Sequence, residues 1–209
     1  MVKPSALEVR VLLTRIRRVG IVGSFSVAAV VAVGLTIASC GTGDSGSGPQ
    51  VRLETTMGDI VIQLMPDVAP KHSENFLKLV SEGFYDNTTF HRVIPGFMIQ
   101  GGDPNSKDDN RANDGIGGPG YTVEAEISAK HERGSLAAAR KADQVNPEKR
   151  SSGSQFYICV VPTTQLDGHY TVFGKVTQGM DIADKIVAAP RDPRDNPLAK
   201  IVIETASVE

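Results

Sequence analysis

From residue 51 onward, apolar and polar side chains are arranged in short periodic runs. Val51-Arg52-Leu53-Glu54-Thr55 alternates with period two, as a strand with one buried face does. Thr56-Met57-Gly58-Asp59 supplies turn residues, and Ile60-Val61-Ile62-Gln63-Leu64 returns as a second strand, so the pair predicts a hairpin. Residues 69–82 carry a helical stripe of Phe76, Leu77 and Val80, with Pro70 in the first turn and Gly83 as a stop. Strand-like segments follow at 89–94, 97–101, 121–124, 134–139, 154–161 and 170–176. A second helix fits 180–188 with Pro190 beyond it, and Ile201-Val202-Ile203 is a last strand. About eight strands and two helices predict a mainly β fold: a closed eight-stranded antiparallel β-barrel capped by two α-helices. Closure removes the edges that an open sheet has to protect.

Residues 1–50 follow a different pattern. A basic segment ends at Arg17-Arg18, and an uncharged, mostly apolar run extends from Val19 to Ser39, about long enough for a hydrocarbon core of roughly 30 Å. The run ends in Ile37-Ala38-Ser39-Cys40-Gly41, which resembles the lipobox of bacterial lipoprotein signal peptides. On that resemblance residues 1–39 are a signal peptide and Cys40 is the lipidated mature N-terminus. An uncleaved transmembrane anchor is the alternative. Either way the remainder is exported, and the first reading attaches it by lipid to a bacterial cell membrane, on the periplasmic or extracellular face. Residues 41–50, GTGDSGSGPQ, bury nothing and read as a flexible linker reaching about 17 Å. Residues 51–209 form one domain, expected to be monomeric.

Charge narrows the function classes. Residues 1–39 hold five of the 22 basic residues and one of the 24 acidic ones, so 17 basic and 23 acidic residues remain, a balance of −6. That balance, without a basic run after residue 18, argues against nucleic acid as a partner. Cys40 and Cys159 belong to no CxxC, and the four histidines are scattered, so no metal site is expected. The polar, glycine-rich segment 104–120 lacks the spacing of a calcium loop and reads as a solvated surface loop. Cys159 lies in an apolar run and reads as a buried thiol; His91 reads as a structural histidine.

The most informative stretch is 90–103, FHRVIPGFMIQGGD. It sets one arginine, Arg92, near Phe97 and Met98, with the amide of Gln100 two positions further on. A lone guanidinium beside an apolar pocket suits an uncharged, apolar substrate with one polar bond to be worked on, such as the peptide bond before proline. Together with GSQFYICV at 153–160 and LDGHYTVFGKV at 166–176, this stretch resembles the cyclophilins, peptidyl-prolyl cis-trans isomerases. The resemblance runs along 51–203 and implies an eight-stranded barrel capped by two helices. It also implies that Arg92 is catalytic, with Gln100 holding it or binding substrate backbone. The proline pocket would comprise Phe97, Met98, Tyr157 and Leu166, with Tyr170 at its rim. Gln155 would orient substrate, and Ala139 with Arg140 would form the backbone-binding edge.

Several positions depart from the family pattern. Tyr157 stands where many members have phenylalanine, so a hydroxyl must be accommodated. Gln165 replaces a tryptophan that contacts cyclosporin in eukaryotic members, which implies weak binding of that drug. Residues 141–152 form a longer loop than in compact members. The departures at Tyr157 and at Arg140, where many relatives have asparagine, together with the longer 141–152 loop, keep a second reading open, a non-catalytic module or chaperone that binds proline peptides. Under the isomerase reading the partners are proline-containing peptides and unfolded or partly folded exported proteins. No cofactor is expected, because rotation about a peptide bond makes and breaks no bond and moves no proton.

Overall fold

The structure, a computed structural model, describes residues 48–209. The expected signal peptide, Cys40 and linker residues 41–47 lie outside the described residues. The hairpin at the start is present as β1 (Gln50–Thr55) and β2 (Gly58–Leu64), with Leu53 opposite Ile60 and Glu54 opposite Asp59. The alternation holds in β1, where Val51 and Leu53 are fully buried, whereas in β2 Ile60, Val61 and Ile62 are all buried. Helix α1 (Pro70–Ser81) starts on Pro70 and buries Phe76, Leu79 and Val80. It packs against β9 (Val172–Gln178) and β10 (Ile203–Val208). Helix α2 (Met180–Val187) packs against β2, β3 (Arg92–Ile94) and β4 (Met98–Gly101).

The remaining strands are β5 (Thr122–Val123), β6 (Ser135–Ala138), β7 (Ser151–Ser152) and β8 (Phe156–Cys159). Eight strands form one antiparallel sheet in the order β10-β1-β2-β9-β6-β8-β4-β3, while β5 and β7 pair separately. The expectation of a closed barrel is corrected: the sheet is an open, strongly curled half-barrel. Its margins, β3 and β10, form no ladder. The chain just before β3 meets the start of β10 through the single bridge Thr89–Val202 and a few backbone bonds, including Phe90 N–H to Ile201 O at 3.0 Å. β3 has only three residues, because the turn at Pro95-Gly96 ends it, so no length remains for a closing ladder.

The concave face holds the main core, with Phe76, Tyr85, Phe90, Phe156 and Phe173 at its centre. Phe156 meets Phe76, Tyr85 and Phe90 edge-on, at centroid distances of 5.6, 5.7 and 6.2 Å. Such tilted contacts add to the burial of each ring. A second apolar cluster lies apart from this core and contains Met98, Ala137, Tyr157, Cys159 and Val172. Successive strand residues face opposite sides, and this rule sorts the two clusters. In β8, Phe156 and Ile158 enter the main core while Tyr157 and Cys159 enter the second cluster. Ile99 and Met98 divide in the same way in β4, as do Leu136 and Ala137 in β6. The middle of the sheet is therefore apolar on both faces, and the outer apolar face marks the site.

Candidate active site

Strand register builds the site in rows. Arg92 is paired with Gln100, Gln100 with Tyr157, and Tyr157 with Ala137, a row across β3, β4, β8 and β6. One step along, Ile94, Met98 and Cys159 form the next row. Because paired residues share a face, Arg92 lies on the same outer face as the second cluster. Phe97, Leu166, Ala139 and Tyr170 pack around that cluster as partly buried residues. The structure thus brings together all the residues assigned to the proline pocket and its rim. Leu166 arrives from a short 3-10 turn, Thr164–Leu166, and Tyr170 from the chain just before β9.

Arg92 belongs to a margin strand, and its side chain is 46% exposed. Its nearest carboxylate oxygen, on Asp195, is 3.9 Å away, and its guanidinium makes no hydrogen bond among the described residues. An exposed pair at that separation contributes little, so the donors of Arg92 remain available. Gln100 does not hold Arg92 by a hydrogen bond. It donates instead to Gln155 Oε1 at 3.0 Å, and Gln155 donates to the carbonyls of Gly115 and Gly117. The two amides form a chain fastening the 104–120 loop to the sheet.

That loop is more ordered than the expected solvated segment. Its anchor is Asp103, fully buried, whose carboxylate accepts from the backbone N–H of Asn105, Gly115 and Gly117. The preceding glycines are required by close approach. Gly102 has φ of +82°, and a Cβ there would lie 2.4 Å from Ser154 O; only glycine fits such a position without strain.

The backbone edge at Ala139 and Arg140 divides into two roles. Ala139 N–H donates to Gln155 O at 2.9 Å and its carbonyl accepts from Ser152 N–H at 2.8 Å, so it is pinned. The backbone N–H and C=O of Arg140 have no partner among the described residues and can meet an extended peptide. The Arg140 side chain is occupied elsewhere. Its guanidinium lies 4.5 Å from the centre of the Tyr170 ring, donates to His169 O at 2.8 Å and pairs with Asp143. Together with Lys149, which donates to Gly168 O, it fastens the long 141–150 loop to the rim of the groove.

Tyr157 accommodates its hydroxyl through a partner that the sequence did not reveal. Its OH lies 3.0 Å from His131 Nε2, and His131 Nδ1 lies 2.9 Å from Asp167 Oδ1. His131 is buried and its ring stacks parallel to Tyr157. Burial pushes the Tyr157 hydroxyl well above its ordinary value, so it stays protonated. The hydrogen bonds from the His131 side chain and backbone hold the Asp167 carboxyl below its usual range. The hydroxyl is thereby satisfied behind the pocket, and the ring face remains apolar. Replacing Tyr157 with phenylalanine should cost about 1–3 kcal/mol, because His131 Nε2 loses its buried partner. Pocket shape is retained, so kcat/KM for a proline peptide should change less than about threefold, the factor that roughly 0.6 kcal/mol represents. Urea unfolding and an exchange assay on the same variant check both. An unchanged unfolding free energy would mean that His131 does not depend on Tyr157.

The sequence of residues 50–208 matches the family described as Cyclophilin type peptidyl-prolyl cis-trans isomerase/CLD. The chain belongs to the cyclophilin family. It is 40% identical over 159 residues to the peptidyl-prolyl cis-trans isomerase CYP18-1 of Arabidopsis thaliana, a match covering 76% of this chain and 94% of that protein. It is also 40% identical to a peptidyl-prolyl cis-trans isomerase-like 2 protein of Gibberella zeae, over 73% of this chain but only 25% of the relative's length. Among solved structures, a cyclophilin type isomerase of Cryptosporidium parvum, crystallised in the presence of the dipeptide Ala-Pro, has a TM-score of 0.68. It shares 34% identity, and the match covers 77% of this chain and 98% of that one. This cyclophilin therefore carries the fold and activity class of peptidyl-prolyl cis-trans isomerases.

Proposed function

We propose that the outer apolar cluster grips a proline ring while Arg92 stabilises the twisted peptide bond that precedes it. The observation that supports this is the shared face: an arginine without a hydrogen-bond partner among the described residues stands in register beside an apolar hollow built from Phe97, Met98, Tyr157 and Leu166. The barrier to rotation is about 18–20 kcal/mol, because resonance gives the C–N bond partial double-bond character. At the twisted geometry the proline nitrogen becomes pyramidal and regains its lone pair. A donor directed at that nitrogen stabilises the transition state and not the planar forms, which is the condition for acceleration. Arg92 remains charged at any working pH and offers several N–H groups. The apolar walls lower the local dielectric and strengthen that bond. The unpaired backbone of Arg140 holds the substrate chain in extended form, and Gln155 is held in place to orient it. The chain should bring exchange of a proline peptide far below its uncatalysed time of about 10–100 s, as read by NMR exchange spectroscopy. Binding without faster exchange would contradict these roles.

The substrates we propose are exported, partly folded chains, met at a membrane surface to which Cys40 is tethered by lipid. The order of basic segment, apolar run and Ala38-Ser39-Cys40 supports that tether. Two or more acyl chains anchor stably where one does not. Mass spectrometry of the mature protein should find an acylated Cys40 at its N-terminus, and a chain that keeps Met1 and an unmodified Cys40 would refute the tether.

A further inference from the structure

Beside Arg92 and Gln100 lies a cavity of about 240 Å³. Its walls include His91, Arg92, Arg111, Asp114, Arg194 and Asn196. His91 is 4% exposed, and among the described residues neither ring nitrogen makes a well-formed hydrogen bond, although the Thr89 backbone lies close to the ring. Burial holds its imidazole below the ordinary value, against the pull of Asp103 and Asp114, so it is neutral near pH 7 and presents one donor and one acceptor. Asp114 Oδ1 is likewise buried and unpartnered, while its Oδ2 accepts from Asn196. Buried polar atoms in folded proteins are nearly always bonded. An enclosed group of orphans beside the reactive arginine therefore points to a ligand with polar atoms of its own.

Charge defines that ligand further. Three guanidinium groups line the cavity against one carboxylate. Arg111 donates to Asn196 Oδ1 and to the backbone carbonyls of Pro197 and Leu198, so its charge meets no carboxylate oxygen there among the described residues. Arg194 is largely exposed and reaches only Asp192, at 3.7 Å. Arg92 is 3.9 Å from Asp195, which also faces Arg191 at 3.3 Å. Arg92 and Arg194 are thus the guanidinium groups of the wall held only by long, exposed ion pairs.

We infer that this cavity is a second substrate subsite, which takes an acidic side chain flanking the proline, with Arg194 supplying charge and His91 a hydrogen bond. Asp114 Oδ1 accepts an N–H from the same stretch of substrate backbone. The inference rests on the proposed placement of the proline beside Arg92, since that placement carries the flanking chain past the cavity. It makes the enzyme selective among proline-containing segments by the charge next to the proline.

The test compares peptides that differ only in Glu against Gln, placed one or two positions before or after the proline. The readout is the ratio of kcat/KM for each Glu peptide over its Gln twin, which does not depend on the absolute rate. For the wild type at low salt the ratio should be about two- to fivefold at one flanking position, the size expected of a partly exposed charge pair. It should fall toward one in Arg194→Ala and at high salt. The 15N resonances of His91 should move on adding the Glu peptide and not its Gln twin. Ratios near one at every position, or a preference that Arg194→Ala leaves intact, would overturn the subsite while leaving the isomerase reading standing. Failure to turn over either peptide would instead strike the isomerase reading itself.

Discussion

Replacing Arg92 with alanine is expected to lower kcat/KM for a proline peptide by about 10- to 100-fold. One hydrogen bond from a charged donor contributes roughly 1.5–3 kcal/mol, and each tenfold in rate corresponds to about 1.4 kcal/mol. Desolvation and the shape of the apolar hollow remain in the variant, so activity should not vanish. The fold should be nearly indifferent to the change, because the side chain is 46% exposed and its one ion pair is long. An unfolding midpoint equal to that of wild type, together with slowed exchange, is the combined result to look for. Arg92→Lys should recover part of the rate, since it restores charge without the planar fork of donors. A variant as fast as wild type would remove Arg92 from the mechanism.

The largest expected effect on stability lies one residue from the pocket. Phe156 is 1% exposed and sits edge-on to three other rings of the main core. Truncating such a side chain to alanine costs about 3–5 kcal/mol, the sum of lost burial and an unfilled cavity. A domain of this size is held by roughly 5–15 kcal/mol, so Phe156→Ala should lose a large share of its stability and unfold at a markedly lower urea concentration than wild type. Tyr157→Phe, at the adjacent position, should remain folded. The contrast follows from the alternation of a strand, which turns Phe156 into the main core and Tyr157 into the outer apolar cluster. Urea unfolding followed by near-ultraviolet circular dichroism, with tyrosine as the reporter in a chain without Trp, separates the two. A cost below about 1 kcal/mol at Phe156 would show that the inner and outer faces of β8 had been exchanged.

Elements with strong periodicity were readable from the chain. The hairpin at 51–64 and the helix starting on Pro70 match within a residue or two. The pattern at 121–124 predicts a full strand, yet only Thr122–Val123 pair, and their partner Ser151–Ser152 carries no apolar signal. The last strand runs from Ile203 to Val208, because Thr205, Ala206 and Ser207 pair against β1 despite the polarity of the segment, with Glu204 left in a bulge. Closure was inferred from strand number, but number does not set the length of β3.

The pocket was legible because three motifs carry it, and the apolar runs Phe156–Cys159 and Leu136–Ala138 break the alternation seen in β1. What the sequence could not show is pairing across long separations. His131 meets Tyr157 from 26 residues before it, and is itself held by Asp167, 36 residues further on. Arg194 and Asn196 reach the cavity beside Arg92 from a loop about a hundred positions on. The ordering of the 104–120 loop rests on Asp103, whose carboxylate could have been solvated for all that local sequence tells.

The central claim concerns where a proline sits. It is tested most directly by a structure of the protein with a bound Ala-Pro peptide. The ring should rest between Phe97, Met98, Tyr157 and Leu166, with an Arg92 N–H directed at the proline nitrogen or the preceding carbonyl at about 3 Å, hydrogen-bonding distance. A peptide seated on another face, or an Arg92 turned onto Asp195 with the peptide in place, would contradict the account.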